Sequence, residues 1–425
     1  MTPEQIEELG PAFADYLQPF VFCCGYTQTF DLLGIYCRGL LSDLRRKTCE
    51  PLALYAGVAV RTVQEFLHDH VWSFTEVRDL LQQHVAGALR DLPGDDLGTL
   101  GIVDETGTVK KGTQTPGVQR QWCGEVGKQE NCVVTVHLGV ARGRYQTLVD
   151  ADLFLPESWD EDRARCRAAG IPDDLVYYPK WQLALGQLDR ARANGIALDW
   201  LTFDETYGGK PGFLKGLDDR RWRYVGEVPK SLRCSTQRPR PGHAGHRADQ
   251  LVRHSPVFHQ QRWRRFRLHH QTQGDSVWDV KAAQVWVSGC VSRSHWLIWA
   301  RNPTTGEEKY FVANAPARAA LGRLLRVAFG RWNVEHCFRV SKGAVGFRDF
   351  QGRHYVALMR HLTLCLVTLT FAAGQTARLR GEKSRGDPGA DLPGVERAMR
   401  SLAGSLAGHA TVAVHGRRHQ LSPAA

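Results

Sequence analysis

The 425-residue sequence lacks the features that mark secreted, disulfide-bonded proteins. Its 11 cysteines occur singly, apart from the adjacent Cys23 and Cys24, and no CxxC pair is present. Scattered thiols in a long chain are typical of a reducing compartment, so we expect no disulfide framework and a cytoplasmic, nucleoid-associated protein. Without a CxxC pair the case for zinc is weak. The residues that could act as zinc ligands are Cys234, His243, His246 and His254.

A secretory leader, a membrane-length apolar run and a phosphate-binding loop are also missing. The N-terminal residues MTPEQIEELGPAF are acidic and polar, unlike a signal peptide. The most apolar run, residues 362–373, is about 12 residues long, which is too short to span a bilayer and favours a buried helix. No glycine-rich loop follows a predicted strand, and no Ser or Cys nucleophile has a local signature. We therefore expect neither a membrane partner nor a nucleotide cofactor.

Positive charge is what the sequence has in excess. The formal net charge is +11, the pI is about 9.2, and 43 arginines outnumber 12 lysines. Such a charge suits a polyanionic partner, nucleic acid first, and planar arginine is well suited to bidentate phosphate contacts. Codon bias in a GC-rich genome would produce the same arginine excess, so the net charge, not the ratio, indicates nucleic acid.

The N-terminal segment, residues 1–95, has apolar residues at helical spacing. Within it, Gly57 and Val63 fall at the turn and apolar positions of a helix-turn-helix. Its second helix would run from about Arg61 and would contact DNA. The same spacing is common in helical proteins, so a plain helical bundle that turns at Gly57 is the alternative.

The next two segments have the periodicity of strands. Residues 96–230 contain an antiparallel meander, a helix, a buried strand and a second helix, an order typical of a mixed α/β sheet flanked by helices. Residues 231–315 are basic at first and then alternate apolar and polar residues. We interpret them as a basic, β-rich domain inserted into the core.

The last part of the core is predicted over residues 316–375. It contains one long helix, residues 317–342, which Gly343 and Gly346 would end. Residues 376–425 are rich in Arg, Gly and Ala without a sustained period, which is typical of a partly disordered tail.

Three acidic residues lie where the core could bring them together. Asp104 and Asp204 each end a predicted strand, and Glu335 lies on the long helix, where Arg331 and Lys342 share its face. Like charges in one cleft require a cation, and oxygen ligands suit two Mg²⁺ ions, with Mn²⁺ as the substitute. Two such ions would support phosphodiester cleavage. Surface acids at strand ends are also common, and this is the alternative interpretation.

The segments that carry these acids resemble a known family. They are GIVDETGTVKKG, GVQRQWCGEVGKQENC, LTFDETYG and GRWNVEHCFRVSKGAVGFRDFQGRHY. RKTCEPLALYAGVAVRTVQEFLHDHVW and HWLIWARNPTTGEEKYFVANAP match as well. Together, over roughly residues 40–370, they are similar to bacterial insertion-sequence transposases of the DDE class, most closely the insertion-sequence 701 family. The group has a Tyr-x2-Arg-x3-Glu-x6-Lys signature.

The resemblance implies a ribonuclease-H-like fold and metal-dependent cleavage and strand transfer of element ends. Asp104, Asp204 and Glu335 would be the catalytic metal ligands, and Arg331 and Lys342 would hold backbone phosphates. The partners would be terminal inverted repeats and target DNA, bound by a homodimer. The signature Tyr should fall at position 328, which is alanine. This departure leaves a hairpin route open to question but not the metal chemistry.

Further DNA contacts are predicted from basic and aromatic residues near the core. Four cations on the predicted meander turns would follow phosphates, unless they are merely solvated: Lys110, Lys111, Arg120 and Lys128. Trp222 and Trp263, set among arginines, would stack on bases, unless they pack inward.

Two rival functions fit the same sequence. One is a non-catalytic DNA-binding regulator derived from a transposase, which the presence of all three acids disfavours. The other is a different ribonuclease-H-fold nuclease, which the inserted domain and the helix-turn-helix disfavour.

Overall fold

Residues 8–240, 245–270 and 274–381 are described by a computed structural model. The N-terminal part is helical, as the apolar spacing predicts. Ser73 caps its last helix by accepting a hydrogen bond from the Glu76 amide, 3.2 Å long. Its elements are α1 (Leu9–Leu17), a 3-10 helix (Gln18–Cys23), α2 (Thr27–Leu41), α3 (Cys49–Ala56), α4 (Val60–His68) and α5 (Phe74–Asp91).

A five-stranded mixed sheet follows. Its strands are β1 (Leu100–Val109), β2 (Gln119–Cys123), β3 (Lys128–Arg142), β4 (Tyr145–Leu153) and β5 (Trp200–Phe203). The strand order is β2-β3-β1-β5, with β4 also paired to β3. Strand β5 runs parallel to β1, and the other pairings are antiparallel. The associated helices are α6 (Glu157–Asp160), α7 (Arg163–Ala168), α8 (Lys180–Ala193), α9 (Glu205–Gly208) and α10 (Pro211–Asp219).

Strand β1 is longer than predicted. We expected it to end at Asp104, but pairing with β3 continues to Val109, so Asp104 lies in the middle of the strand. The β-branched residues beyond Asp104 favour the extended ladder. Gly107 lies against Cys123, where an added Cβ would come within 2.8 Å of the sulfur.

A second, seven-stranded sheet is antiparallel. Its strands are β6 (Val225–Val228), β7 (Arg233–Ser235), β8 (His246–Arg247), β9 (Arg264–His270), β10 (Gly274–Val287), β11 (Cys290–Arg301) and β12 (Glu308–Ala313). Two short helices, α11 (Ala248–His254) and α12 (Pro256–His259), lie between β8 and β9. Strand β6 lies within residues 96–230, which were predicted to form the first part of the core, but it pairs with β12 of the second sheet. A parallel bridge from Leu201 to Tyr224 connects the two sheets.

The predicted single helix over residues 317–342 is wrong. It is two helices, α13 (Leu321–Phe329) and α14 (Trp332–Ala344). The break falls at Gly330, which packs against the start of β1: an added Cβ would lie 2.7 Å from Leu100 Cδ1. This close approach places the next residue, Arg331, directly beside β1.

Helix α15 (Tyr355–Gly381) is the apolar helix predicted from residues 362–373. Within the described ranges, its portion Tyr355–Arg378 is long and apolar enough to cross a membrane, so the length argument was wrong. However, 89% of its most apolar window is buried inside the protein, as in the core helix of a soluble fold. The helix also continues into the predicted tail, and residues 382–425 lie outside the described part.

Candidate active site

Asp104 and Asp204 lie side by side on neighbouring parallel strands. Val103 of β1 is in register with Phe203 of β5, so the two aspartates that follow stand at the same level, with strands about 4.8 Å apart. Asp204 caps α9, accepting hydrogen bonds from the amides of Thr206 (3.0 Å) and Tyr207 (3.3 Å). Asp104 Oδ1 accepts from the Glu105 amide at 2.7 Å. Backbone donors therefore orient both carboxylates.

Glu335 joins this pair through Arg331. One guanidinium nitrogen of Arg331 lies 3.2 Å from Asp104 Oδ2, and the other lies 3.1 Å from Glu335 Oε1. The side chains of Arg331 and Asp104 are 16% and 13% exposed, whereas that of Glu335 is 41% exposed. The first turn of α14 thus presents an accessible acid beside the two strand aspartates.

The positive charge around Asp104 and Asp204 does not fully compensate their two carboxylates. The pKa of Asp104 is raised to about 7, chiefly by burial and also by the Asp204 carboxylate, while Arg331 acts in the opposite direction. Burial lowers the pKa of Arg331, but the carboxylates of Asp104, Glu335 and Asp204 outweigh it, so its net pKa is raised. A divalent cation would relieve the repulsion between the aspartates.

The donor set fits a hard divalent ion, because all three side chains offer carboxylate oxygens. As the side chains stand in the described residues, no group of three or more His, Cys, Asp or Glu is placed to hold a metal. The guanidinium of Arg331 lies between Asp104 and Glu335. That the three acids hold metal ions together therefore stays a prediction.

Glu105 faces away from this group, as strand alternation predicts. Its carboxylate pairs with Lys180 at 2.5 Å and accepts a hydrogen bond from the Tyr207 hydroxyl at 3.5 Å. Lys180 was missed from the sequence, since its partner lies 75 residues away. The pairing leaves Asp104 as the acid of the Asp-Glu dipeptide that faces Asp204 and α14.

Lys342 extends the site along β1. Its ammonium donates to the Gly107 carbonyl at 3.3 Å and lies 3.6 Å from Glu125. Glu125 also pairs with Arg348 at 3.7 Å. Sequence spacing placed Lys342 on the face of Glu335, but it could not show that Glu125, in the turn after β2, would hold the lysine.

The four turn cations divide into two kinds. Lys110 faces inward, donating to the carbonyls of Arg348 (3.2 Å) and Phe350 (2.5 Å), and burial lowers its pKa to about 8. Its predicted phosphate contact is therefore wrong for this conformation, because the ammonium already holds the backbone after α14. Lys111, Arg120 and Lys128 are exposed, and Lys128 lies 3.5 Å from Glu130.

The predicted stacking tryptophans are packed within the protein. Trp222 is only 6% exposed, with Arg192 over its ring at 3.7 Å, so the base-stacking prediction is wrong for it. Trp263 is half-buried and packs edge-on against Trp299 at 4.6 Å between ring centroids. Trp122, next to Arg120 on β2, is 60% exposed and was missed, because neighbouring charges do not show which face of a strand is open.

The predicted helix-turn-helix has the expected local geometry. Gly57 ends α3 in the left-handed region, with φ of +66°, which favours glycine. Helix α4 then begins at Val60, and the side chain of Arg61 is 86% exposed beside Glu65. Whether this pair binds DNA stays a prediction.

Two other expectations concern Ala328 and the cysteines. Ala328 is buried, and its carbonyl accepts a hydrogen bond from Thr202 at 3.4 Å. The signature tyrosine position thus packs beneath β5.

All 11 cysteines are free, which confirms that there is no disulfide framework. Of the zinc candidates, Cys234 is buried and His243 lies outside the described residues.

The chain is similar to known proteins. A family model described as DDE superfamily endonuclease matches residues 20–280, more than half of the chain. The chain belongs to the DDE endonuclease superfamily. The matched region contains Asp104 and Asp204. Members of this family generally use divalent metal ions.

A relative of this DDE protein is known from Microchaete diplosiphon. It is described as "Probable transposase for insertion sequence element IS701" and is 29% identical over 191 residues, which cover 44% of the chain and 46% of the relative. The chain thus spans about half the length of that relative. The match confirms the resemblance to the insertion-sequence 701 family drawn from the motifs.

Two solved structures have a distant likeness to the DDE protein. A piggyBac transposase synaptic complex with hairpin DNA has a TM-score of 0.43 at 10% identity, covering 90% of this chain and 72% of that one. The NurA nuclease from Sulfolobus solfataricus has a TM-score of 0.24 at 10% identity, covering 63% and 92%. At these scores neither likeness carries an argument.

Proposed function

We propose that this DDE protein is a DNA transposase that cleaves and transfers the ends of an insertion sequence. The observation that supports it most is the position of Asp104 and Asp204, each directly after the paired Val103 and Phe203 of two parallel strands, with Glu335 tied to Asp104 through Arg331. The antiparallel β1, β3 and β4 beside a parallel β5 support a ribonuclease-H-like core. The N-terminal helical domain and the basic, β-rich insertion would be its DNA-binding attachments.

Asp104, Asp204 and Glu335 would hold two Mg²⁺ or Mn²⁺ ions. When bound, such ions supply an activated nucleophile and stabilise the leaving oxygen in displacement at phosphorus. The chain itself provides orientation: the Glu105 amide fixes Asp104, and the first turn of α9 fixes Asp204. Such preorganisation places the carboxylates before substrate arrives.

Phosphate binding would come from cations around this group. Arg331 and Lys342 lie on opposite sides of Glu335 along α14 and would hold the backbone beside the reacting strand. The exposed Lys111, Arg120 and Lys128 would extend the track. Inverted repeats would be read by α3 and α4, and a homodimer would bring two ends to target DNA.

The deciding experiment uses Asp204→Asn with Glu205→Gln as its matched control. Asp204 faces Asp104, whereas Glu205 is the exposed next residue. Asp204→Asn should abolish Mg²⁺-dependent nicking of DNA that carries the element ends while leaving DNA binding intact, and Glu205→Gln should keep both. Cleavage that persists in Asp204→Asn would remove this residue from the site.

The same assay separates the rival functions. A wild-type protein that binds DNA but never cleaves it with Mg²⁺ would favour the regulator. Preferential cleavage of an RNA–DNA hybrid over element-end DNA would favour another nuclease of this fold.

A further inference from the structure

Arg331 occupies the space between two of the three carboxylates. Its two terminal nitrogens contact Asp104 Oδ2 at 3.2 Å and Glu335 Oε1 at 3.1 Å. The Arg331 side chain is 16% exposed, so it is shielded from most of the solvent. It therefore acts as a partly buried counter-charge within the acidic group.

The contacts with Arg331 compete directly with metal binding. Asp104 Oδ1 accepts a hydrogen bond from the Glu105 amide, and Arg331 donates to the other oxygen, Oδ2. A divalent ion that approached Asp104 Oδ2 would meet the guanidinium at hydrogen-bond distance, and two cations repel strongly where little water screens them. An ion that binds both Asp104 Oδ2 and Glu335 Oε1 therefore requires the guanidinium to move away.

A DNA phosphate offers the guanidinium another partner. Arginine forms paired hydrogen bonds with phosphate as readily as with carboxylate. We infer that Arg331 is an exchangeable counter-cation that couples the two ligands, because a backbone phosphate that takes the guanidinium frees Asp104 and Glu335 for metal. This inference rests on the proposed function. By linkage, bound metal also raises the affinity for DNA to the same extent.

Lys342, the other cation of the signature, is not a counter-cation of Asp104 and Glu335. Its ammonium lies at the Gly107 carbonyl and near Glu125. It can therefore bind phosphate without first releasing Asp104 or Glu335. The coupling is specific to Arg331, and this difference between the two cations makes it testable.

The test is Mn²⁺ binding, measured by titration calorimetry and by the electron paramagnetic resonance of free Mn²⁺, with no cleavage readout. Wild type and Arg331→Gln are titrated alone and with a short DNA duplex at low ionic strength. Without DNA, Arg331→Gln should bind Mn²⁺ more tightly than wild type by about fivefold or more. The gain in affinity on adding DNA should be larger for wild type by a similar factor.

Arg323→Gln is the matched control, since Arg323 is an exposed arginine on α13, and it should behave as wild type. If Arg331→Gln fails to fold, Arg331→Lys replaces it: one amine cannot bridge both carboxylates, so DNA-free affinity should again rise. Equal DNA-free affinities for wild type and the Arg331 variant would overturn the inference. Mn²⁺ binding by neither protein, even with DNA, would instead count against the proposed function.

Discussion

Replacing Arg360 by methionine should both destabilise the protein and loosen the predicted DNA-recognition helix. Arg360, on α15, donates to the carbonyls of Leu67 (3.1 Å), His68 (3.2 Å) and His70 (2.8 Å), and to those of Phe66 and Trp72. Phe66, Leu67 and His68 form the last turn of α4, where the helix dipole favours a cation, and His70 and Trp72 follow it. One buried side chain, 6% exposed, thus holds the whole C-terminal end of α4.

The expected loss of unfolding free energy in Arg360→Met depends on which of these carbonyls could bind water once the guanidinium is gone. Leu67 and Trp72 are at most 6% exposed, so their two carbonyls would be left unsatisfied, whereas the Phe66 carbonyl keeps a hydrogen bond from Trp72 Nε1 at 2.9 Å. A lost bond to a charged donor costs about 1.5–3 kcal/mol, so the two lost bonds give a loss of about 3–6 kcal/mol for the site. A typical domain has about 5–15 kcal/mol of unfolding free energy, so this variant would be severely weakened.

Urea unfolding of Arg360→Met and wild type would measure this loss, and hydrogen exchange would locate it. Amides of α4 should lose protection before those of β1 and β3. Arg378→Met, an exposed change on the same helix, should cost less than about 0.5 kcal/mol. A loss below about 1 kcal/mol for Arg360→Met, or exchange that rises evenly across the protein, would refute the reasoning.

Two further predictions concern residues that connect parts of the fold. Burial lowers the pKa of Lys47 to about 8, below its unfolded value, so its contribution to stability should grow as pH rises from 8 towards 10. The stability advantage of wild type over Lys47→Met should therefore increase by up to about 1.4 kcal/mol per pH unit in thermal or urea unfolding; a constant difference would contradict this. Asn314 donates to Asp218 (2.8 Å) and the Trp222 carbonyl (2.7 Å) and accepts from the Tyr224 amide (2.9 Å). Asn314→Ala should cost about 2–4 kcal/mol in urea unfolding, and a loss below about 1 kcal/mol would show that water replaces these bonds.

Local pattern and motif chemistry were enough to predict the types of most elements and the acids of the candidate site. Helices α8 and α10 and the turn at Gly57 lie where periodicity, Pro and Gly place them, because short-range sterics and hydrogen bonding decide these features. The arginine, glutamate and lysine spacing on α14 likewise follows from one helical face. The family resemblance could be read from the same segments, and the family match confirms it.

Tertiary contacts decided what those residues touch. Gly330 breaks the predicted helix because Leu100, distant in sequence, packs against it, and Lys110 turns inward because the carbonyls of Arg348 and Phe350 are there to receive it. The bridge from Asp104 through Arg331 to Glu335 joins residues more than 200 positions apart. The sequence pattern predicts which face of a helix or strand each residue lies on, but not which distant element packs against that face. Tertiary packing alone determines that contact. In this protein it places the Arg331 guanidinium between acids whose negative charges, considered by themselves, suggested a metal.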